Sequence, residues 1–220
     1  MTPAGEARAG WVAADVAEEL PALRLAEADA PAAFGRAPRA MRERLRALSD
    51  RFGGARALEL RRESVPAAYR VFFRHVGLDP DVDRPPAEAA VVDRLVHGGF
   101  RSAGMPHDAL LLAVVETGVP VWALDAARLE GPLGIRSAAE GERVGEGAGA
   151  LEVPAGRLVV ADARGPVAVL FGDVDPHRLP TRGTSALRLF AVGVDGVPDV
   201  HVEEALWTCA GALSEAAAGA

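Results

Sequence analysis

The chain has 220 residues and a mass of 22.9 kDa, half of them hydrophobic and a quarter charged, with a formal net charge of −7. These values fit one globular domain with appendages and exclude a disordered chain. The longest unbroken apolar run, Ala109 to Val115, is far short of the about 20 residues a membrane span needs.

In chain order, Trp11 to Val16 reads as a strand and Pro21 to Leu25 as a weaker one. Met41, Leu45, Leu48 and Phe52 recur at helical spacing, so Arg39 to Phe52 is a predicted helix that ends at Gly53-Gly54. Ser64 can cap a second helix, with Pro66 in its first turn and a stripe of Tyr69, Phe72, Phe73 and Val76 before Gly77. A third helix follows Arg84-Pro85-Pro86 and would carry Val92, Leu95 and Val96 inward. From residue 120 short strands take over: Pro120 to Leu124, Leu133 to Ser137, Leu151 to Val153, Arg157 to Ala161, Val167 to Phe171 and Leu187 to Val194. Asp162-Ala163-Arg164-Gly165 signals a hairpin, and Gly145 to Gly149 reads as a loop. Asp199 can cap a last helix lined by Val202, Leu206, Cys209 and Leu213, with the tail from Ser214 to Ala220 expected to fray. Helices first and strands later predict an α+β domain around a mixed β-sheet or small barrel flanked by helices. One domain over 1–220 is expected. Its core is about 60–199, the N-terminal strand and arginine helix take 10–59, and the C-terminal helix takes 200–213.

Cys209 is the single cysteine, which rules out an internal disulfide and a thiolate cluster. It falls on an apolar helix face and reads as a buried structural thiol. All 24 basic residues are arginine, so lysine Schiff-base chemistry is excluded. The start MTPAGEARAGWV lacks a basic segment followed by an apolar one, so no secretory signal and a cytoplasmic location are expected. An acidic chain does not match a dedicated nucleic-acid binder, and DNA is not an expected partner. Yet residues 36–62 hold nine arginines (36, 39, 42, 44, 46, 51, 56, 61 and 62) against Glu43, Asp50 and Glu59. That segment is +6 and the remainder −13, so a basic patch on an acidic body could receive a phosphate backbone; a solvated helix face fits the same pattern.

His107-Asp108 precedes the apolar run, and an imidazole beside a carboxylate suits a general base. Alternatively Asp108 caps or orients the following segment. Glu140 and Glu142 flank Gly141 after a predicted strand, at a pocket rim or in a plain polar turn. Asp79, Asp81 and Asp83 alternate as in a calcium loop, but Arg84 and Ala90 stand where that loop needs Gly and Glu, which leaves a turn. Histidines 75, 97, 177 and 201 have no ligand spacing to one another, so no metal is expected. There is no phosphate-cradling glycine loop, and no nucleotide cofactor is expected.

The stretch Glu116 to Glu142, ETGVPVWALDAARLEGPLGIRSAAEGE, orders Gly118, Pro120, Ala123, Asp125, Gly131, Arg136, Gly141 and Glu142 in a way that resembles one family. Arg84-Pro85-Pro86-Ala87-Glu88-Ala89, Asp108, Leu158 to Asp162 and Val167 to Phe171 extend the likeness, from Tyr69 to roughly Gly196. The family is the B3/B4 domain of the phenylalanyl-tRNA synthetase beta chain, found also as free-standing proteins. The resemblance implies a tRNA-binding module with an editing-type pocket that hydrolyses mischarged aminoacyl-tRNA. It places Asp108, Trp122, Glu142 and Arg188 at the pocket, with His107 and Asp108 as catalytic candidates. Arg39, Arg42, Arg46 and Arg51 would face the tRNA. Several positions depart from the family pattern, among them Pro86 in place of serine in the Arg-Pro-Ser-x-Glu-Ala element. Trp122 replaces the histidine of Gly-x-Pro-x-His-Ala-Phe-Asp, Leu111 stands where asparagine is usual, and Arg188 falls near the glutamate that recognises a tyrosine hydroxyl. An indole cannot take a proton from water, and a guanidinium suits a carboxylate or phosphate. The alternative expectation is therefore a non-catalytic module for a small anionic or aromatic ligand. A protein partner docking on the arginine helix is a third.

Overall fold

The structure is a computed structural model and describes residues 5–219. Seven helices and ten strands follow in chain order among the described residues. The N-terminal part contributes β1 (Arg8–Ala9), β2 (Trp11–Val12), α1 (Ala14–Glu19) and β3 (Arg24–Pro31). Five helices come next: α2 (Arg39–Arg51), α3 (Gly54–Leu60), α4 (Ser64–His75), α5 (Pro86–His97) and α6 (His107–Thr117). The strands β4 (Val121–Asp125), β5 (Gly134–Ser137), β6 (Arg143–Val144), β7 (Leu151–Glu152), β8 (Leu158–Asp162), β9 (Gly165–Val169) and β10 (Ala186–Gly193) lead to α7 (Asp199–Ala218).

The first sheet runs β1-β3-β10-β4, antiparallel throughout. The second runs β2-β5-β8-β9, with β2 parallel to β5 and the other pairs antiparallel. β6 and β7 form a separate ribbon. The α+β class holds, and both large sheets are open, so the barrel alternative is not realised. The predicted hairpin is present, with Asp162 paired to Gly165 across a two-residue turn and the Asp162 carboxylate accepting the Arg164 and Gly165 amides.

β10 carries Leu187, Leu189, Phe190, Ala191 and Val192, all buried, because the first sheet is covered on both faces. α7 lies along β3 and β10 and beside α6, and its inner face is Val202, Ala205, Leu206, Cys209, Ala210 and Leu213. The alanines of β3 and α7 permit a close helix–sheet approach, and each fully buried leucine or phenylalanine adds about 1.5–3 kcal/mol. On the other side, Trp11 lies flat across Gly134. A β-carbon at Gly134 would fall 2.0 Å from the indole, so only glycine lets β2 seat on β5.

Several expected elements differ. The first strand ends at Val12, and Val16 is instead the buried residue of α1. Of the weak strand expected at 21–25 only Arg24 and Leu25 are extended; they open β3, eight residues long, whose alanine and acid content hid its place inside the sheet. α3 begins at Gly54 itself, with Gly53 as its N-cap, and has no counterpart among the expected elements. The apolar run 109–115 is the body of α6; it shows no helical period because α5, α7 and β4 enclose it. α5 is rotated from its expected face. Ala87, Glu88 and Val91 are buried, whereas Leu95 and Val96 are 42% and 73% exposed and Val92 is half-buried. The cause is Glu88, drawn inward by Arg70 (2.9 Å) and Arg61 (3.0 Å). The N-caps of α4 and α7 are Glu63 and Pro198, not Ser64 and Asp199, and neither uses its side chain as a cap. Asp199 pairs with Arg24 instead. α7 continues to Ala218 with Ala216 buried, so the tail does not fray from Ser214; Ala220 lies outside the described residues. Asp79 to Asp83 is a turn, with the Asp81 amide donating to the Asp79 carboxylate (2.9 Å) and Arg70 donating to Asp81 (2.7 Å).

Candidate functional site

The residues expected at the pocket fall in three places. Trp122 and Arg188 share one face of the first sheet. Phe190 stands directly opposite Trp122 across the β4–β10 ladder, and Arg188 is two residues along on the same side. The Trp122 and Phe190 rings stack, centroids 5.1 Å apart and planes 9° from parallel. Phe171 follows β9 with φ +58°, a left-handed conformation costly for a bulky side chain. That backbone sets its ring edge-on to Trp122 at 5.5 Å and against Tyr69, Phe72 and Phe73 at 5.1–5.7 Å. Tyr69 donates its hydroxyl to the Val192 carbonyl (2.6 Å), and burial pushes that hydroxyl far above the usual phenol range. Trp122 is thus a wall of an aromatic cluster and not a proton acceptor.

Arg188 donates from Nε to Asp29 (2.7 Å) and from Nη1 to Glu27 (3.0 Å). Arg8 joins the same two carboxylates, and Glu27 also accepts the Leu133 amide (3.1 Å). The hydrogen bond from Arg8, reinforced by Arg188, holds Asp29 below the usual carboxylate range against the opposing effect of burial. The cation expected to meet a ligand is engaged inside the protein. Glu142 is also engaged. Arg136 grips both its oxygens, it accepts the Ala139 amide (2.9 Å), and the Arg136 contact lowers its pKa.

Asp108 sits in the first turn of α6 and is fully buried. Its carboxylate accepts the amides of Ala103 (2.8 Å) and Gly104 (3.2 Å) and the hydroxyl of Ser102. His107 Nδ1 lies 3.6 Å away on an exposed side chain. Burial favours the neutral acid, but the nearby His107 ring and hydrogen bonds from Ser102 and Ala103 outweigh it and keep Asp108 below its ordinary value. The neighbouring Asp108 carboxylate in turn raises His107 against partial desolvation. Asp108 organises the 102–105 loop and orients His107. Among the described residues, no hydrogen bond, ion pair or ring contact joins it to Trp122 or Arg188.

A cavity of about 250 Å³ opens beside Phe171, walled by Leu20, Phe72, Leu158 and Leu170, with Glu19, His75 and Arg157 among its polar groups. An adjoining recess of about 260 Å³ shares Glu19, Leu20, Phe72 and His75. Its residues come from α1, α4 and the β5, β8 and β9 region, which no local motif links. The sequence marked its parts only separately, Phe72 in the α4 stripe and Leu158 and Phe171 in predicted strands.

The arginines of α2 divide. Arg39 donates to Glu43 (2.7 Å) and Arg44 to Glu116 (2.8 Å). Arg42 donates Nε to the Ala37 carbonyl (3.2 Å), while Arg46 and Arg51 are exposed and make no ion pair among the described residues. No group of three or more His, Cys, Asp or Glu is placed to hold a metal among the described residues. Cys209 is buried in α7, and burial raises its thiol far above the usual range. No helix of the described residues is long and apolar enough to cross a membrane.

No protein-family model matches the chain. It is 33% identical over 112 residues to the phenylalanine–tRNA ligase beta subunit of Streptomyces avermitilis. That stretch is 50% of this chain and 13% of the ligase subunit, so the likeness covers a small part of the relative.

Proposed function

We propose that the chain is a tRNA-binding module of the B3/B4 type, one domain that receives the tRNA backbone on α2 and does not supply a protein base for ester hydrolysis. The partial likeness to the ligase subunit supports the tRNA-directed part. So do Arg42, Arg46 and Arg51, which have no carboxylate partner among the described residues and lie along one helix, Arg42 half-buried and the other two exposed. One observation carries the non-hydrolytic part. Trp122, at the position of the family's pocket histidine, is stacked on Phe190 and edged by Phe171. Asp108 is sealed from solvent and Arg188 is held by Glu27 and Asp29, so no other expected group takes over that role. The cavity beside Phe171 is of a size for a small aromatic or aliphatic group.

Two measurements test this. Filter binding of unmodified tRNA should weaken steeply from low to moderate salt, and Arg42→Glu/Arg46→Glu should abolish binding at moderate salt. Incubation of a panel of mischarged tRNAs with the wild type should leave the ester intact. Turnover by the wild type would overturn the non-hydrolytic reading, and tRNA binding unchanged in the charge-reversed variant would overturn the assignment to α2.

A further inference from the structure

A cleft of about 520 Å³ lies between the 34–42 segment, the 102–105 loop and the 181–184 turn. Its lining includes Arg36, Arg42 and Arg182 from three separate parts of the chain, together with Phe34 and the loop from Ser102 to Met105. No carboxylate lines it, and none of the three arginines makes an ion pair among the described residues. This sets them apart from Arg70, Arg136, Arg178 and Arg188, each of which meets at least one carboxylate. Three guanidiniums around one cleft repel one another, and an anion seated between them would turn that repulsion into attraction.

We infer that this cleft is a phosphate-binding site, which takes the phosphate group of a nucleotide or of an RNA terminus. Its walls are fixed before any ligand arrives. The Met105 amide donates to the Gly35 carbonyl (2.8 Å), and a β-carbon on Gly104 would fall 2.4 Å from that same oxygen. The two loops therefore meet backbone to backbone, in a contact that only glycine permits. Behind the wall, Asp108 takes up the Ala103 and Gly104 amides and the Ser102 hydroxyl, so its charge is met inside the protein and is fully buried. Arg182 is carried on a turn closed by Thr184 to Thr181 (2.9 Å) and tied to β4 where Thr184 Oγ1 donates to Asp125 (2.7 Å). Arg42 is oriented through Nε to the Ala37 carbonyl, with neither terminal nitrogen bonded to a protein group among the described residues. The chain contains no Lys, Asn or Gln, so arginine forks are its only side-chain donors of that reach. Such forks match phosphate oxygens in pairs. The volume exceeds what a lone phosphate needs and admits an attached nucleoside, for which Phe34 supplies an aromatic wall.

The inference deepens the tRNA-binding reading and rests on it only for the identity of the larger molecule. The test is calorimetric titration of the full chain at low salt with pyrophosphate, adenosine 5′-monophosphate and uncharged adenosine. The two phosphorylated ligands should saturate and adenosine should not. Arg36→Ala and Arg182→Ala are exposed loop changes expected to weaken binding about tenfold each, with unaltered melting temperature. Arg74→Ala, an exposed arginine outside the cleft, should leave the small-ligand titration unchanged. Absence of saturable phosphate binding, or equal binding by the Arg36→Ala/Arg182→Ala double variant, overturns the site even if tRNA binds. Arg182-dependent phosphate binding without tRNA binding sustains the site and overturns the tRNA reading.

Discussion

Around α4 and α5, Arg70 is folded against Glu88 and Asp81, and Arg61 reaches the same two carboxylates. At the cleft beside α6, Arg36, Arg42 and Arg182 gather without a carboxylate. The side chain is the same and its use is opposite. In the first region charge is neutralised to hold helices together; in the second it is left open toward solvent. The +6 segment does not distinguish the two. Its Arg39, Arg44 and Arg61 are met by Glu43, Glu116 and Glu88, and two of those carboxylates lie outside the segment. The useful unit of charge is therefore a set of neighbours in space and not a stretch of sequence.

The largest effect should come from breaking the closed region. Arg70→Met strips the main partner from Glu88, which is 3% exposed, and should cost about 3 kcal/mol in urea unfolding, since a buried charge is left short of compensation. A loss near zero would mean that Arg61 alone suffices. Next is the carboxylate beneath the open region. Asp108→Asn weakens three hydrogen bonds to the 102–105 wall and should cost about 2 kcal/mol, with phosphate binding impaired as the wall loosens.

A smaller, pH-dependent effect follows from His107. Its pKa is raised above 6.5 by Asp108, so its contribution to stability is fully present below 6.5 and is lost as pH rises through the raised value. The wild type should lose a step of denaturant resistance over that rise, and His107→Ala should lack the step. For Asp108 the sign reverses: its pKa is held below 3.8, so its contribution is present above 3.8 and is lost as pH falls through the lower folded value. The smallest effect belongs to the open region itself. Arg36→Ala and Arg182→Ala should each change stability by no more than about 0.5 kcal/mol while altering anion binding. A larger loss in either of them would mean that it has a structural partner and would place it with the closed set.

How far the sequence was readable depended on how locally each feature is encoded. α2 was legible because Met41, Leu45, Leu48 and Phe52 face the core while the opposite side stays in water. The Asp162–Gly165 hairpin was legible because its turn is closed by the Asp162 side chain itself. α6 was not, because burial on several sides erases the period. β3 was not, because alanine and acidic residues carry weak strand preference and are placed by the neighbours they meet. The orientation of α5 depended on Glu88, whose inward pull comes from arginines 18 and 27 residues upstream.

Composition and periodicity determined the α+β class, the arginine-only basic set and the core faces of α2, α4 and α7, since these follow from side-chain chemistry and short-range repetition. Tertiary structure decided which charges are available. Arg188 and Glu142, both singled out for a ligand, meet partners in the folded chain. Arg36, Arg42 and Arg182, up to 146 positions apart, line one cleft. The physical reason is that an arginine's role depends on the counter-charge within a few ångströms of it, and only the fold brings that counter-charge near or keeps it away.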